Sequence, residues 1–309
     1  MKADFSSINQ RRNFIKKTAL GSLGVYLGSS FMTANALELD AFKSQRYKIA
    51  VCDWMILKRQ KLGAFSFAEE INADGIEMDM GGLGNRITFD SKLGDPETRA
   101  AFLERSKQTG VEISSVAMSG FYAQSFAKRP TVHLMVKDCI DVMEQMGVKN
   151  AYLPLGVQGD MVKNPELRPA IVKRLKWAGD EVGKIGGIIA VETSFDAKAE
   201  KEFLEEIDSK HIKSSFNFAN AISHGKDICL ELEILGKKHI AQIHASNTDG
   251  ELIANDPMLD MPKIKKTLDK MNWKGWLIVE RSRDTDHVHD RKANYGGNVA
   301  YLKSIFQHS

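Results

Sequence analysis

The chain has 309 residues, 43% of them hydrophobic and 27% charged, which suits a soluble globular protein built as one large domain or two small ones. Its formal charge of +3 is too small to argue for nucleic acid or an anionic membrane surface, and no arginine–lysine stripe interleaved with aromatics occurs. Cys52, Cys139 and Cys229 are odd in number and widely spaced, so they offer neither a disulfide framework nor a zinc motif and read as buried thiols.

The first 36 residues read as a signal rather than as fold. Arg11-Arg12-Asn13-Phe14-Ile15-Lys16-Lys17 precedes a weakly apolar run from Thr18 to Phe31, then Ala34-Asn35-Ala36. That is a charged region, a short apolar region and a small-x-small cleavage site, and the paired arginines resemble a twin-arginine export signal. The expectation is cleavage after Ala36, a periplasmic location and a polar linker over residues 37–46. No later run has the apolar length that would span a bilayer, so no stable membrane insertion is expected.

From Tyr47 onward, short apolar runs alternate with helical segments. The strands are Tyr47–Cys52, Gly75–Met80, Val111–Ala117, Ala151–Leu155, Gly186–Glu192, Ile212–Asn217, Ile240–His244 and Trp276–Glu280. The helices are Phe65–Asn72, a segment opened by Asp95-Pro96 and closed by Gly110, Pro130–Met146, Pro165–Ile185, Lys198–Ile207, Asp227–Leu235, Pro262–Met271 and Tyr295–Phe306. Eight such pairs over residues 47–309 predict an α/β protein, a single (β/α)8 TIM barrel; a doubly wound open sheet is the competing architecture.

The chemistry gathers at the ends of the last four strands. Glu192 abruptly ends the apolar run Gly-Gly-Ile-Ile-Ala-Val, and Glu280 does the same after Trp-Leu-Ile-Val. A carboxylate so placed is costly unless it is paired, protonated or bound to a cation, a salt bridge to a rim arginine being the plain alternative. His244 ends one strand and Asn217 another, with Asn220 just beyond. Two carboxylates, an imidazole and an amide on one rim would make a nitrogen and oxygen site for a divalent cation. Gly81-Gly82-Leu83-Gly84 lacks the spacing of a dinucleotide cradle, and there is no Walker lysine, nucleophile elbow or HExxH. Trp54 as a wall for a sugar ring, Glu77 or Asp79 as a hydrogen-bonding carboxylate, and Tyr122, Asn220, Lys58, Arg283 and His287 complete the candidates for substrate contact.

Val191-Glu192-Thr193, Phe216-Asn217-Phe218-Ala219-Asn220, Ile243-His244-Ala245 and Val279-Glu280-Arg281, with Gly75-Ile-Glu77 upstream, resemble the sugar phosphate isomerase/epimerase group with xylose-isomerase-like TIM barrels. The resemblance implies one divalent ion, manganese or magnesium first and cobalt or zinc as alternatives, held by Glu192, Asn217, His244 and Glu280. It also implies that Glu192 and Glu280 are the catalytic acid and base. The expected activity is isomerisation or epimerisation of a sugar or keto-sugar through an enediolate. A lyase or hydratase using the same enolisation and a non-catalytic sugar-binding barrel are the alternatives, and a homo-oligomer is compatible with the chain. Asn217 departs from the resembled pattern, which has aspartate there, and implies weaker metal binding. Ala245-Ser246-Asn247-Thr248-Asp249 departs too, where the pattern has a Lys-Asp pair soon after the histidine.

Overall fold

The computed structural model describes residues 46–307. The expected signal, its cleavage site and residues 37–45 of the linker lie outside them. Eight parallel strands close in sequence order: β1 (Tyr47–Cys52), β2 (Gly75–Asp79), β3 (Glu112–Ala117), β4 (Asn150–Pro154), β5 (Ile188–Glu192), β6 (Ile212–Asn217), β7 (Ile240–His244) and β8 (Gly275–Val279). β1 pairs with β8 in register from Tyr47 opposite Gly275 to Val51 opposite Val279. That closure decides for the barrel against the open sheet, and all strands end on one face.

The helices surround the barrel: α1 (Gly63–Glu70), α2 (Pro96–Thr109), α3 (Val132–Met146), α4 (Arg168–Gly183), α5 (Ala197–Ile207), α6 (Phe218–Ser223), α7 (Ile228–Leu235), α8 (Met261–Lys270) and α9 (Arg291–Phe306). Local chemistry sets their ends. Asp95 accepts from the Thr98 amide at 2.8 Å to start α2, and Gly110, at φ 72°, stops it. Asp290 accepts from the Ala293 amide at 2.9 Å, so α9 begins a turn earlier than the apolar pattern alone predicts. Gly81 has φ 99°, and a Cβ there would collide with the Asp90 carbonyl, so the glycine run is a rim turn that requires a glycine.

The apolar faces of the helices bury against the outer face of the sheet in one core, with Phe65, Phe121, Phe203, Val136, Leu175 and Leu302 all buried. The barrel interior differs. It holds a small apolar cluster of Ala50, Cys52 and Ile278, flanked by Trp54, Met55 and Trp276. The rest of its middle is polar, with Glu77, Ser115, Ser215, Gln242 and His244 each 1% exposed or less. Such groups stay buried only if they satisfy one another, and this layer forms the floor of the site.

Candidate metal and active site at the C-terminal rim

Glu192, Asn217 and His244 are the last residues of β5, β6 and β7, and Glu280 follows directly on β8. Asn217 lies opposite His244 in the β6–β7 register, so the strand ends alone bring these side chains together. His244 Nδ1 lies 3.4 Å from Glu192 Oε2 and 3.6 Å from Glu280 Oε2. This nitrogen is buried and has no hydrogen bond of good geometry. The four residues that the sequence joined as a ligand set are therefore neighbours.

His244 is oriented from below. Its Nε2 lies 3.0 Å from Glu77 Oε1, which also accepts from the Cys52 thiol at 3.6 Å. Glu77 Oε2 accepts from the Ser115 hydroxyl at 2.6 Å and the Gln242 amide at 2.7 Å. With Nε2–H directed at Glu77, Nδ1 faces Glu192 and Glu280, where the carboxylates favour a positive charge, whether a proton or a metal ion. That is the carboxylate–histidine arrangement that orients metal-ligating imidazoles.

Glu77 was expected to contact substrate; the structure instead places it below the site. It is 0% exposed, beneath the imidazole, and both its oxygens are taken by protein donors. Cys52, Glu77 and His244 are also close enough together to suggest a cation site of their own. Their hydrogen bonds argue otherwise, because an ion there would displace donors that Glu77 needs. Burial, with Glu77 beside it, also pushes the Cys52 thiol well above its ordinary value, so the sulfur is a poor thiolate ligand.

Charge supports a cation on the upper side. Burial alone would lower the His244 pKa, but Glu77, Glu192 and Glu280 outweigh it and raise it well above 6.5. Burial works to raise Glu280; His244, Arg281 and Asn217 outweigh it and hold it low. The site thus collects positive charge and hydrogen-bond donors around its carboxylates. Two atoms each about 2.1 Å from a common ion lie roughly 3.0–3.4 Å apart, close to the spacing of Nδ1 and the two carboxylate oxygens. Glu192, His244 and Glu280 fit a divalent ion.

The walls include a residue that the sequence reading passed over. Trp54 stacks on Tyr152 at 6.4 Å between centroids and 10° between planes, and Tyr152 packs on the His244 ring at 4.6 Å. Burial first, then Glu192, Glu280, Glu77 and Cys52, pushes the Tyr152 phenol well above 10. Tyr152 looks like core in the run Ala-Tyr-Leu-Pro-Leu. The signal lay in register: it pairs with Ala190, two residues before Glu192 and so on the same face. Counting back by two also yields Ser215 and Gln242.

Beside Glu192, a cleft of about 160 Å³ is lined by Tyr122, Leu155, Gly156, Asp160, Thr193 and Asn220 among others. Tyr122 and Asn220 therefore border the site, and Asn220 is steadied by donating to the Thr193 carbonyl at 3.1 Å. A larger hollow, about 550 Å³, is lined by Ile212 at the start of β6 and by His239 just before β7, so it belongs to the opposite face.

Arg283 was expected at the substrate. It instead grips Asp249 through Nε at 3.0 Å and a terminal nitrogen at 2.5 Å, tying the loop after β7 to that after β8. Asp79 pairs with Arg59 at 2.7 Å and braces the loop after β1. His287 is exposed and bonded to Asp284.

Residues 65–305 match the family model described as xylose isomerase-like TIM barrel. No curated protein matches the sequence. Among solved structures, a xylose isomerase domain protein from Planctomyces limnophilus is 16% identical, with a TM-score of 0.62 over 85% of this chain and 100% of that one. A sugar phosphate isomerase/epimerase from Parabacteroides distasonis is 15% identical, with a TM-score of 0.64 over 83% of this chain and 96% of that one. A 3-keto-D-glucoside 4-epimerase from E. coli is 14% identical, with a TM-score of 0.63 over 84% of this chain and 100% of that one. Likeness at such identities extends to the fold alone.

Proposed function

Because the chain belongs to the xylose isomerase-like TIM barrel family, we propose that it is a divalent-metal-dependent isomerase or epimerase of a sugar or keto-sugar. The observation that carries this reading is the buried Nδ1 of His244, without a hydrogen-bond partner and flanked by Glu192 and Glu280 at 3.4 and 3.6 Å. A divalent ion held by Glu192, His244 and Glu280 would polarise a substrate carbonyl and draw adjacent hydroxyl oxygens to it.

The chain's own residues supply the rest. Glu192 and Glu280 border the same space, so one carboxylate removes the proton beside the carbonyl and the other returns it. Glu77 fixes the tautomer and plane of His244. Trp54 and Tyr152 form an aromatic wall that keeps water from one side of the enediolate. Tyr122 and Asn220 line the cleft beside Glu192 and are suited to hold sugar hydroxyls. The export signal read in residues 1–36 turns the proposal from phosphorylated sugars toward free ketoses and keto-glycosides, met outside the cytoplasm.

Incubation with ketoses and 3-keto-glycosides in deuterium oxide, with manganese present, tests this. Carbon-bound deuterium should enter at the centre beside the carbonyl, with an isomer or epimer as product. Loss of water or of an aglycone would assign the lyase or hydratase instead. An isomer formed without exchange would replace the enediolate by an internal hydride shift, and neither exchange nor product with stoichiometric metal bound would overturn the enzymatic reading.

A further inference from the structure

The side chain of Asn217 has two ends with opposite hydrogen-bonding character, and both are engaged. Its Oδ1 accepts from the backbone amide of Ala219 at 2.9 Å and caps α6. Its Nδ2 donates to Glu192 Oε2 at 3.1 Å. Rotating the amide by half a turn would set its hydrogens against the Ala219 N–H and its oxygen against the Glu192 carboxylate. Both changes are repulsive, so the orientation is fixed at both ends. The residue is 7% exposed, so losing either bond would leave a largely buried polar group.

Aspartate at this position has two oxygens, one to cap α6 and one to face an ion. Asparagine has one, and here it is turned to the Ala219 amide, which leaves the nitrogen end toward Glu192. What faces Glu192 is the N–H end of the amide, with a positive hydrogen where a ligand would present a lone pair. We infer that Asn217 is not a metal ligand but a hydrogen-bond donor that holds Glu192 in place, so that an ion at this site has three protein ligands. This rests on the proposed metal site and refines it. The donor occupies a Glu192 oxygen before an ion arrives, and binding must displace or share that bond. The affinity is therefore lower than the same frame would give with a fourth oxygen ligand, and one more coordination position is open to substrate oxygen or water.

Titration calorimetry of Mn²⁺ into the metal-stripped mature protein tests the assignment, with Asn217→Ser, Asn217→Asp and Glu280→Gln beside the wild type. Serine is a good helix cap, so Asn217→Ser keeps a partner for the Ala219 amide while removing the amide hydrogens. It should bind Mn²⁺ as tightly as the wild type or more tightly, and Asn217→Asp at least tenfold more tightly. A tenfold or greater loss of affinity in Asn217→Ser would overturn the inference, because an oxygen ligand would have been removed. Equal affinity of Asn217→Asp and the wild type would overturn it as well. Glu280→Gln distinguishes this failure from failure of the metal site itself: if Mn²⁺ binds no variant, or binds Glu280→Gln undiminished, the site is misplaced and both readings fall. Circular dichroism and thermal unfolding of each variant show that the fold is retained.

Discussion

Glu77 and His244, 167 residues apart in sequence, meet inside the barrel at 3.0 Å, and that contact decides which imidazole nitrogen faces the rim. Glu77 stands on β2 and His244 on β7, on different sides of the barrel wall, so only barrel closure brings them together. The contact joins the folded core to the site. Glu77→Gln replaces a four-acceptor carboxylate by a group that both donates and accepts, against Ser115, Gln242, Cys52 and His244, all arranged to donate. We expect a loss of roughly 3 kcal/mol in unfolding free energy, from buried donors left unpaired. Mn²⁺ affinity should fall about 10–100-fold as the imidazole loses its anchor. Denaturant unfolding together with metal titration checks both effects. Unchanged affinity in a folded variant would show that Glu77 supports the core alone.

Glu192→Gln and Glu280→Gln each remove one of the two carboxylates beside His244 Nδ1. Each should lower turnover about a thousandfold, the scale of losing one positioned acid or base. Because each glutamate is also a proposed ligand, Mn²⁺ occupancy must be measured in parallel. Turnover lost at full occupancy assigns the proton-transfer role, whereas near-full activity in either variant would remove that glutamate from the mechanism.

Tyr152 bears its phenol among the rim carboxylates, while its ring packs between Trp54 and His244. Tyr152→Phe keeps the ring and removes only the hydroxyl. If that group contacts substrate, kcat/KM should fall about tenfold, the value of one hydrogen bond near 1.4 kcal/mol. The melting temperature should hold or rise, because a buried polar group is lost without loss of packing. A melting temperature that falls with activity unchanged would make the hydroxyl structural.

The strand ends were legible because burial is costly for charge: Glu192 and Glu280 stood out as carboxylates terminating apolar runs, and parallel alternation supplied the geometry that lets them converge. What lay below the rim was not. Glu77, Ser115, Ser215 and Gln242 are ordinary polar residues within strands, and their pairing across the barrel exists only once the sheet has closed. Asn217 was read as the end of a strand, whereas it is also the cap of α6, a helix of six residues that is too short to show an apolar period. Hence its oxygen could be assigned to a metal from sequence but to Ala219 only from structure. Arg283 carried a charge suited to substrate, and the partner that claims it, Asp249, sits 34 residues away on another loop. One further buried acid was readable in hindsight. Glu200 shares the stripe of α5 with Phe203, Leu204 and Ile207, at spacings of three, four and seven.

That stripe makes Glu200 a test of how the barrel's outer core responds to pH. Its side chain is buried, one carboxyl oxygen has no hydrogen-bond partner, and burial first, with Glu192 and Glu231 adding, raises its pKa from 4.5 to about 8 despite the opposing Ser214 hydroxyl. A carboxyl whose pKa is higher folded than unfolded keeps its proton in the native state after the unfolded chain has released it. Its effect on stability is therefore absent below about pH 4.5. It grows unfavourable by about 1.4 kcal/mol per pH unit as pH rises toward 8, then levels off once both states are ionised. Thermal unfolding of the wild type should show a melting temperature that falls between pH 5 and 8. Glu200→Gln keeps the shape and cannot ionise, so its curve should run flatter and cross above the wild type on the alkaline side. Parallel curves across that range would mean that Glu200 is ionised in the native protein and compensated by a positive group.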